Sequence, residues 1–396
     1  MVKERMATFI PIYSTALYQN ESPEGLADVF NGKKFDYIYS RIPNLTAFIF
    51  KQLMNNSENG IGAIATSSGM SAIATVIVTL VDYGDEIMPS RNLFEGTLLF
   101  FNEFIKRYSV KVNYVDACNI DEYKEYISNK TRLIFIETIA NPSLNAPDIK
   151  AVAGIAKEDN IPLVVEIIAI KLYLFKAKDF GVNIIVHYAS KYLTKNGTII
   201  RGVLVNTGNF NWIRCKSSLI EKYARKYGEF IFLDVARKNI FQNRGFCLSP
   251  FSTLLICIGL ETLSLRMEKY CKNAEGLANY FSKHQKIREV NYSGLRSSLY
   301  YAIAKKQFNN KFGDIIMVAN RWRCFKLIKK LKLIKNVTNI GNSRILKIHP
   351  GSTIFHECSK EEKKEAKVTD DILRVSVDLE DIEYIINDFD EGLREV

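Results

Sequence analysis

Between residues 61 and about 206, apolar runs rich in β-branched residues take turns with helical stretches, an alternation that few folds accommodate. The strand-like runs are IGAIAT, EIMP, VKVNYV, RLIFIE, IPLVVE, NIIVH and RGVLVN, and helical patterns begin at Ser71, Glu95, Asp121 and Asp148. This order predicts an α/β fold whose central sheet is mostly parallel and carries helices on both faces. Ligands in such sheets gather at the carboxyl ends of the strands, so the residues at those ends are the first candidates for function.

Beyond residue 215 the pattern changes to long helical stretches, clearest from Pro250 to His284, with strand candidates near Ile315 and Ile372. At 396 residues the chain exceeds what one core organises. The division expected is an arm over 1–50 that contacts a neighbouring subunit, an α/β domain over 51–215 and a smaller α+β domain over 216–396. Ile61 to Val81 is free of charge over 21 residues, a membrane-spanning length, but it contains Thr66, Ser67, Ser68, Ser71, Thr75 and Thr79 and reads as strand, turn and helix. No membrane partner is expected.

Seven dispersed cysteines without CxxC spacing argue against a disulfide framework or a zinc site, and favour a reducing cytoplasm. The first residues, MVKERMATFIPIYST, lack the pattern of a signal peptide. A net charge of +11 comes with 43 acidic residues, which reads as a lysine-rich surface rather than a nucleic-acid partner. In the densest basic run, Arg321 to Lys335, Trp322, Phe325, Ile328 and Leu331 keep helical spacing between the lysines, as on a solvated helix.

Three strand-end features carry chemistry. Lys191 follows the run NIIVH and precedes a Gly-containing turn, a place where burial lowers an amine's pKa and leaves it free to condense with an aldehyde. TSSGM, Thr66 to Met70, feeds a helix whose N-terminus suits a phosphate dianion. Glu166 ends LVVE, where a carboxylate could face a pyridine nitrogen and keep it protonated. Each alone has an ordinary structural explanation, whereas the three in order on one sheet point to pyridoxal 5′-phosphate.

The chain resembles the Cys/Met-metabolism family of pyridoxal-phosphate enzymes over nearly its whole length, with fold type I architecture implied. The resemblance lies in PIYST at Pro11, YSRIPNLT at Tyr39, ATSSGMSAI at Ala65, DYGDEI at Asp82, IETIANPSLNAPDI at Ile136, HYASKYL at His187, LSPF at Leu248, GLETLSLRME at Gly259 and VTDDILRVSVDLEDI at Val368. It implies that Lys191 carries the cofactor and shuttles protons. It further implies that Gly69, Met70 and Ser190 hold the phosphate, and that Tyr39 and Arg41 reach it from a neighbouring subunit. Asn141 would lie near the ring oxygen and substrate, and Arg374 would grip the substrate α-carboxylate. The active unit implied is a dimer, within a homotetramer.

Several positions depart from the family pattern. Glu166 replaces an aspartate, the following IIAIKLYL lacks the usual asparagine, threonine and proline, Tyr188 replaces a phosphate-binding serine, and Ile345 stands where a serine helps bind the carboxylate. Phe94 replaces the tyrosine that stacks on the ring, keeping the aromatic surface without the acidic hydroxyl. Acetate leaves without much help from an acid, whereas a thiolate benefits more from one, so the reading favours a transferase of the O-acetylhomoserine sulfhydrylase type. NFNW at Asn209, NIGNSRILKIHPGST and SKEEKKEAKVTDDILR agree with that branch. The resemblance implies γ-replacement of acetate by sulfide or a small thiol, giving homocysteine or methionine. The rivals are methionine γ-lyase, cystathionine γ-synthase and a catalytically impaired paralogue.

Overall fold

In the computed structural model, residues 8–168, 173–223, 228–320 and 324–396 are described. Two sheets organise the chain. The first contains β1 (Gly62–Thr66), β2 (Glu86–Pro89), β3 (Lys111–Val112), β4 (Thr131–Glu137), β5 (Leu163–Glu166), β6 (Ile184–His187) and β7 (Gly202–Asn206) in the order β1-β7-β6-β5-β4-β2-β3. β2 to β6 run parallel, while β7 lies antiparallel between β1 and β6. β4 to β6 are buried on both faces, as continuous apolar runs require. The run VKVNYV yields only two residues of regular strand, at the sheet edge.

The second sheet orders β8 (Ile287–Asn291), β9 (Ile315–Asn320), β10 (Lys335–Asn336), β11 (Leu346–Ile348) and β12 (Ile372–Ser376) as β10-β11-β12-β9-β8. Among the described residues, helices of eight residues or more are α1 (Pro23–Phe30), α2 (Leu45–Ser57), α3 (Gly69–Leu80), α4 (Ile149–Glu158), α5 (Pro250–Glu261), α6 (Leu263–Lys283) and α7 (Ile382–Arg394). The first fifty residues therefore hold α1 and the start of α2.

The charge-free stretch is β1, a turn and α3, and among the described residues no single helix is long and apolar enough to cross a membrane. The stretch from Pro250 to His284 is two helices bent by 59° at Thr262. Near the break the Gly259 carbonyl accepts from the Arg266 guanidinium at 2.7 Å, so a side chain enters the helical ladder there. In the basic run, a helix spans Cys324–Lys330 and buries Cys324 and Leu327; Phe325 is exposed, and Trp322 lies outside the described residues. Ile328 packs against the core and Leu331 is buried as that spacing expects, with Leu327 added to the buried side and Phe325 left out of it.

Parallel register aligns Glu137 with Glu166 and Glu166 with Val186, so the strand-end residues form one row. Just beyond Val186, the rings and carboxyls of His187 and Glu58 pair at 2.6 Å with both side chains fully buried, which ties the end of β6 to α2. The chain then turns through Tyr188 to Lys191.

Candidate active site

At this row of strand ends, α3, the turn after β6 and loops of the second sheet enclose a cavity of about 240 Å³. Of the residues predicted from the sequence, Gly69, Met70, Phe94, Asn141, Ser190, Lys191 and Arg374 line it. Glu166, Tyr39 and Arg41 do not. Two residues that sequence reasoning did not nominate as ligands complete its chemistry: Asn339 lines the cavity and Glu137 lies behind the wall.

The Lys191 amine donates to Asn339 Oδ1 at 2.8 Å. Burial, with the Arg374 guanidinium adding like-charge repulsion, lowers its pKa from the ordinary 10.5 to about 8. Near pH 8 about half the amine is then neutral and nucleophilic, where a solvent-exposed lysine would be almost wholly protonated. Arg374, on β12 and 3% exposed, reaches across from the second sheet. It donates to Asn141 Oδ1 at 3.2 Å and to the Asn339 carbonyl at 3.1 Å, while its Nε is buried with no hydrogen-bond partner among the described residues. A guanidinium with hydrogen bonds to two neutral acceptors still has N–H groups to offer an anion. Burial brings it down to about 10, leaving it charged at neutral pH.

Glu137 organises the opposite wall. Its carboxylate accepts the Phe94 N–H at 2.6 Å and the Asn141 N–H at 3.2 Å, so one side chain at the end of β4 fixes both an aromatic and a polar lining residue. Burial pushes its pKa up to about 8 against those two donors. Its signal in the sequence was the one that marks Glu166, an acid closing an apolar strand. Asn339 had only a loop pattern, NIGN, in which Gly341 takes a positive φ of 62°.

On the phosphate side, Ser68 caps α3 through a reciprocal box with Ser71, and the first N–H groups of the helix, at Gly69 and Met70, have no partner within it. This is a sound anion seat, but the Tyr188 ring lies against Gly69 and its hydroxyl donates to the Met70 sulfur at 2.8 Å. The Ser190 hydroxyl is also engaged, donating to the Arg201 carbonyl at 3.0 Å and accepting its N–H at 2.6 Å. Glu166 is buried beside Tyr188 rather than on the cavity wall.

Tyr39 and Arg41 stay on the arm, with Arg41 over the Tyr39 ring and donating to the Gln242 carbonyl at 2.7 Å. Ile345 is fully buried outside the cavity, just before β11, and its N–H is taken by Glu380. The expectation that position 345 faces the substrate carboxylate is therefore corrected, and Asn339 is the second-sheet loop residue that meets Arg374. Of IIAIKLYL, residues 169–172 lie outside the described residues. For a phosphorylated pyridine aldehyde, Lys191, Asn141, Phe94 and Arg374 fit the aldehyde, ring and substrate sides. The helix start suits a phosphate, with Tyr188 narrowing it.

Known proteins resemble the chain over nearly its whole length. The chain is 35% identical to a sulfhydrylase of Fusarium oxysporum, covering 98% of this chain and 93% of that one. It is 33% identical to an O-acetyl-L-homoserine sulfhydrylase of Leptospira meyeri, covering 98% and 92%. Among solved structures, a Campylobacter jejuni protein described as an O-acetylhomoserine (thiol)-lyase superposes with a TM-score of 0.91 at 28% identity, over 98% of this chain and 95% of that one, and carries a pyridoxyl-lysine 5′-monophosphate. The model of Cys/Met-metabolism PLP-dependent enzymes matches residues 2–394. With that match over nearly its whole length, and with a buried lysine at a strand end and a buried arginine from the second sheet lining one cavity of a fold type I scaffold, the chain belongs to the Cys/Met-metabolism family of pyridoxal-phosphate-dependent enzymes.

Proposed function

We propose that the chain is a transferase that replaces the acetate of O-acetyl-L-homoserine with sulfide or a small thiol, forming homocysteine or methionine and releasing acetate. The observation that carries this reading is the convergence of the Lys191 amine and the Arg374 guanidinium on Asn339 within one cavity. When bound, pyridoxal phosphate supplies the electron sink for carbanion chemistry.

The protein's own groups do the rest. Arg374 receives the α-carboxylate through its Nε and adjacent N–H, and Asn141 and Asn339 hold the guanidinium plane. That grip orients the substrate's Cα–H bond toward the Lys191 side. Lys191 Nζ, neutral in a useful fraction near pH 8, accepts the Cα proton and then moves a proton at Cβ while acetate leaves Cγ. Phe94 keeps a phenol away from the stacking face, which suits a leaving group that is already a stable anion.

The same reading assigns Tyr39 and Arg41 to the phosphate of a neighbouring copy in a homo-oligomer. Leu17, Phe30 and Phe35 on the arm are 71%, 71% and 67% exposed, a surface that a second copy would cover. Seven dispersed cysteines without CxxC spacing favour a cytoplasmic location.

The test is to incubate the purified protein, supplied with cofactor, with O-acetyl-L-homoserine and sulfide, and separately with methionine. Homocysteine and acetate should form one for one in the first mixture. Faster release of a thiol from methionine alone would sink the assignment in favour of γ-elimination.

A further inference from the structure

Cα–Cβ bonds in a helix tilt toward its N-terminus, so the space beside the absent side chain of Gly69, first residue of α3, borders the helix's positive end. An aromatic ring occupies it. A Cβ on Gly69 would lie 2.3 Å from Cδ1, 2.4 Å from Cγ and 2.6 Å from Cε1 of Tyr188. Tyr188 is 8% exposed, and its hydroxyl is fixed on Met70. Burial and then the nearby Glu166 push the phenol well above its ordinary value, so it keeps its proton, and that proton is directed to the Met70 sulfur rather than to an anion. The next hydroxyl along the turn, Ser190, gives its proton to Arg201.

We propose that Tyr188 competes with the cofactor's phosphate for the seat in front of α3, so that this chain holds the cofactor from its aldehyde and substrate side and gains little from the phosphate. The inference rests on the proposed function in one respect: an aldehyde must still reach Lys191. An open helix start rewards a dianion through backbone N–H groups and the helix dipole. Here the dianion must first displace a packed ring and break its hydrogen bond to Met70, which offsets that reward. The glycine at 69 serves the ring as well as the phosphate, since any side chain there would strike it.

The experiment titrates cofactor-stripped protein with pyridoxal 5′-phosphate and with unphosphorylated pyridoxal, following the visible imine band. Adducts are fixed with borohydride and mapped by mass spectrometry. The parent and Tyr188→Phe, which keeps the ring, should prefer the phosphorylated aldehyde by less than about tenfold, and Tyr188→Ser and Tyr188→Ala by more than about tenfold. A parent that prefers the phosphate by more than about tenfold overturns the proposal without need of any variant. A gain in Tyr188→Ser that Tyr188→Ala lacks also overturns it, because the deficit would then be a missing hydroxyl and not an occupied seat. If none of the four proteins forms an adduct on Lys191 with either aldehyde, the proposed function fails instead.

Discussion

Replacing Glu137 by glutamine separates a positioning group from a merely buried one. The carboxylate accepts the Phe94 and Asn141 N–H groups at 2.6 and 3.2 Å. Glutamine offers one acceptor oxygen and one NH2, so one of those N–H groups must face a donor. Leaving a buried N–H without its acceptor costs about 1–3 kcal/mol. If Asn141 shifts in response, the Arg374 guanidinium loses a brace, and kcat/KM should fall about 10- to 100-fold.

The pH dependence gives an independent reading. With its pKa raised from 4.5 to about 8 by burial, folded Glu137 keeps a proton that the unfolded chain has released. Its contribution to stability therefore falls as pH rises from about 4.5 to about 8, by at most about 1.4 kcal/mol per unit. Urea unfolding of parent and Glu137→Gln at pH 5.5 and 7.5, at one protein concentration, isolates this term, because slopes from distant groups cancel in the difference. The parent's advantage should be larger at pH 5.5. An unchanged kcat/KM together with the same stability difference at both pH values would refute the reasoning.

Asp378 is fully buried beside Tyr270, whose hydroxyl donates to the Asn342 carbonyl at 2.8 Å. Burial pushes its pKa up to about 10, so it costs progressively more stability as pH rises from about 4 toward 10; the melting-temperature gain of Asp378→Asn should be larger at pH 9 than at pH 5. A Cβ at Gly202 would stand 2.1 Å from the Ser68 carbonyl, and Gly202→Ala should cost about 1–3 kcal/mol in denaturant unfolding by pushing back the turn that feeds α3. Arg374→Lys loses the guanidinium fork, so KM for the amino acid should rise about tenfold or more while the borohydride-trapped adduct on Lys191 persists.

Much of this was legible before any coordinates. Alternation of strand and helix patterns fixed the parallel sheet, and a parallel sheet obliges Glu137, Glu166 and Lys191 to share one edge. Arg374 was legible through its motif context alone, because only tertiary packing brings β12 against the loop after β4. What the sequence hid depends on side-chain direction. Tyr188 reads as a lost serine hydroxyl until its ring is seen packed against Gly69. Ser190 reads as a free hydroxyl until Arg201 is seen to occupy it. Ile345 was misplaced because register in the NIGNSRI loop is set by the Gly341 turn and the Glu380 contact, neither of which has a periodic signature.

The central claim is that the Lys191 amine is the group that captures the cofactor aldehyde, and the absorption spectrum of Lys191→Ala beside that of the parent tests it most directly. The account predicts a visible band in the parent that disappears on borohydride reduction, and no such band in the variant at any cofactor concentration that saturates the parent. A band of equal intensity in Lys191→Ala, or a reduced pyridoxyl group mapped to another lysine of the parent, would contradict it.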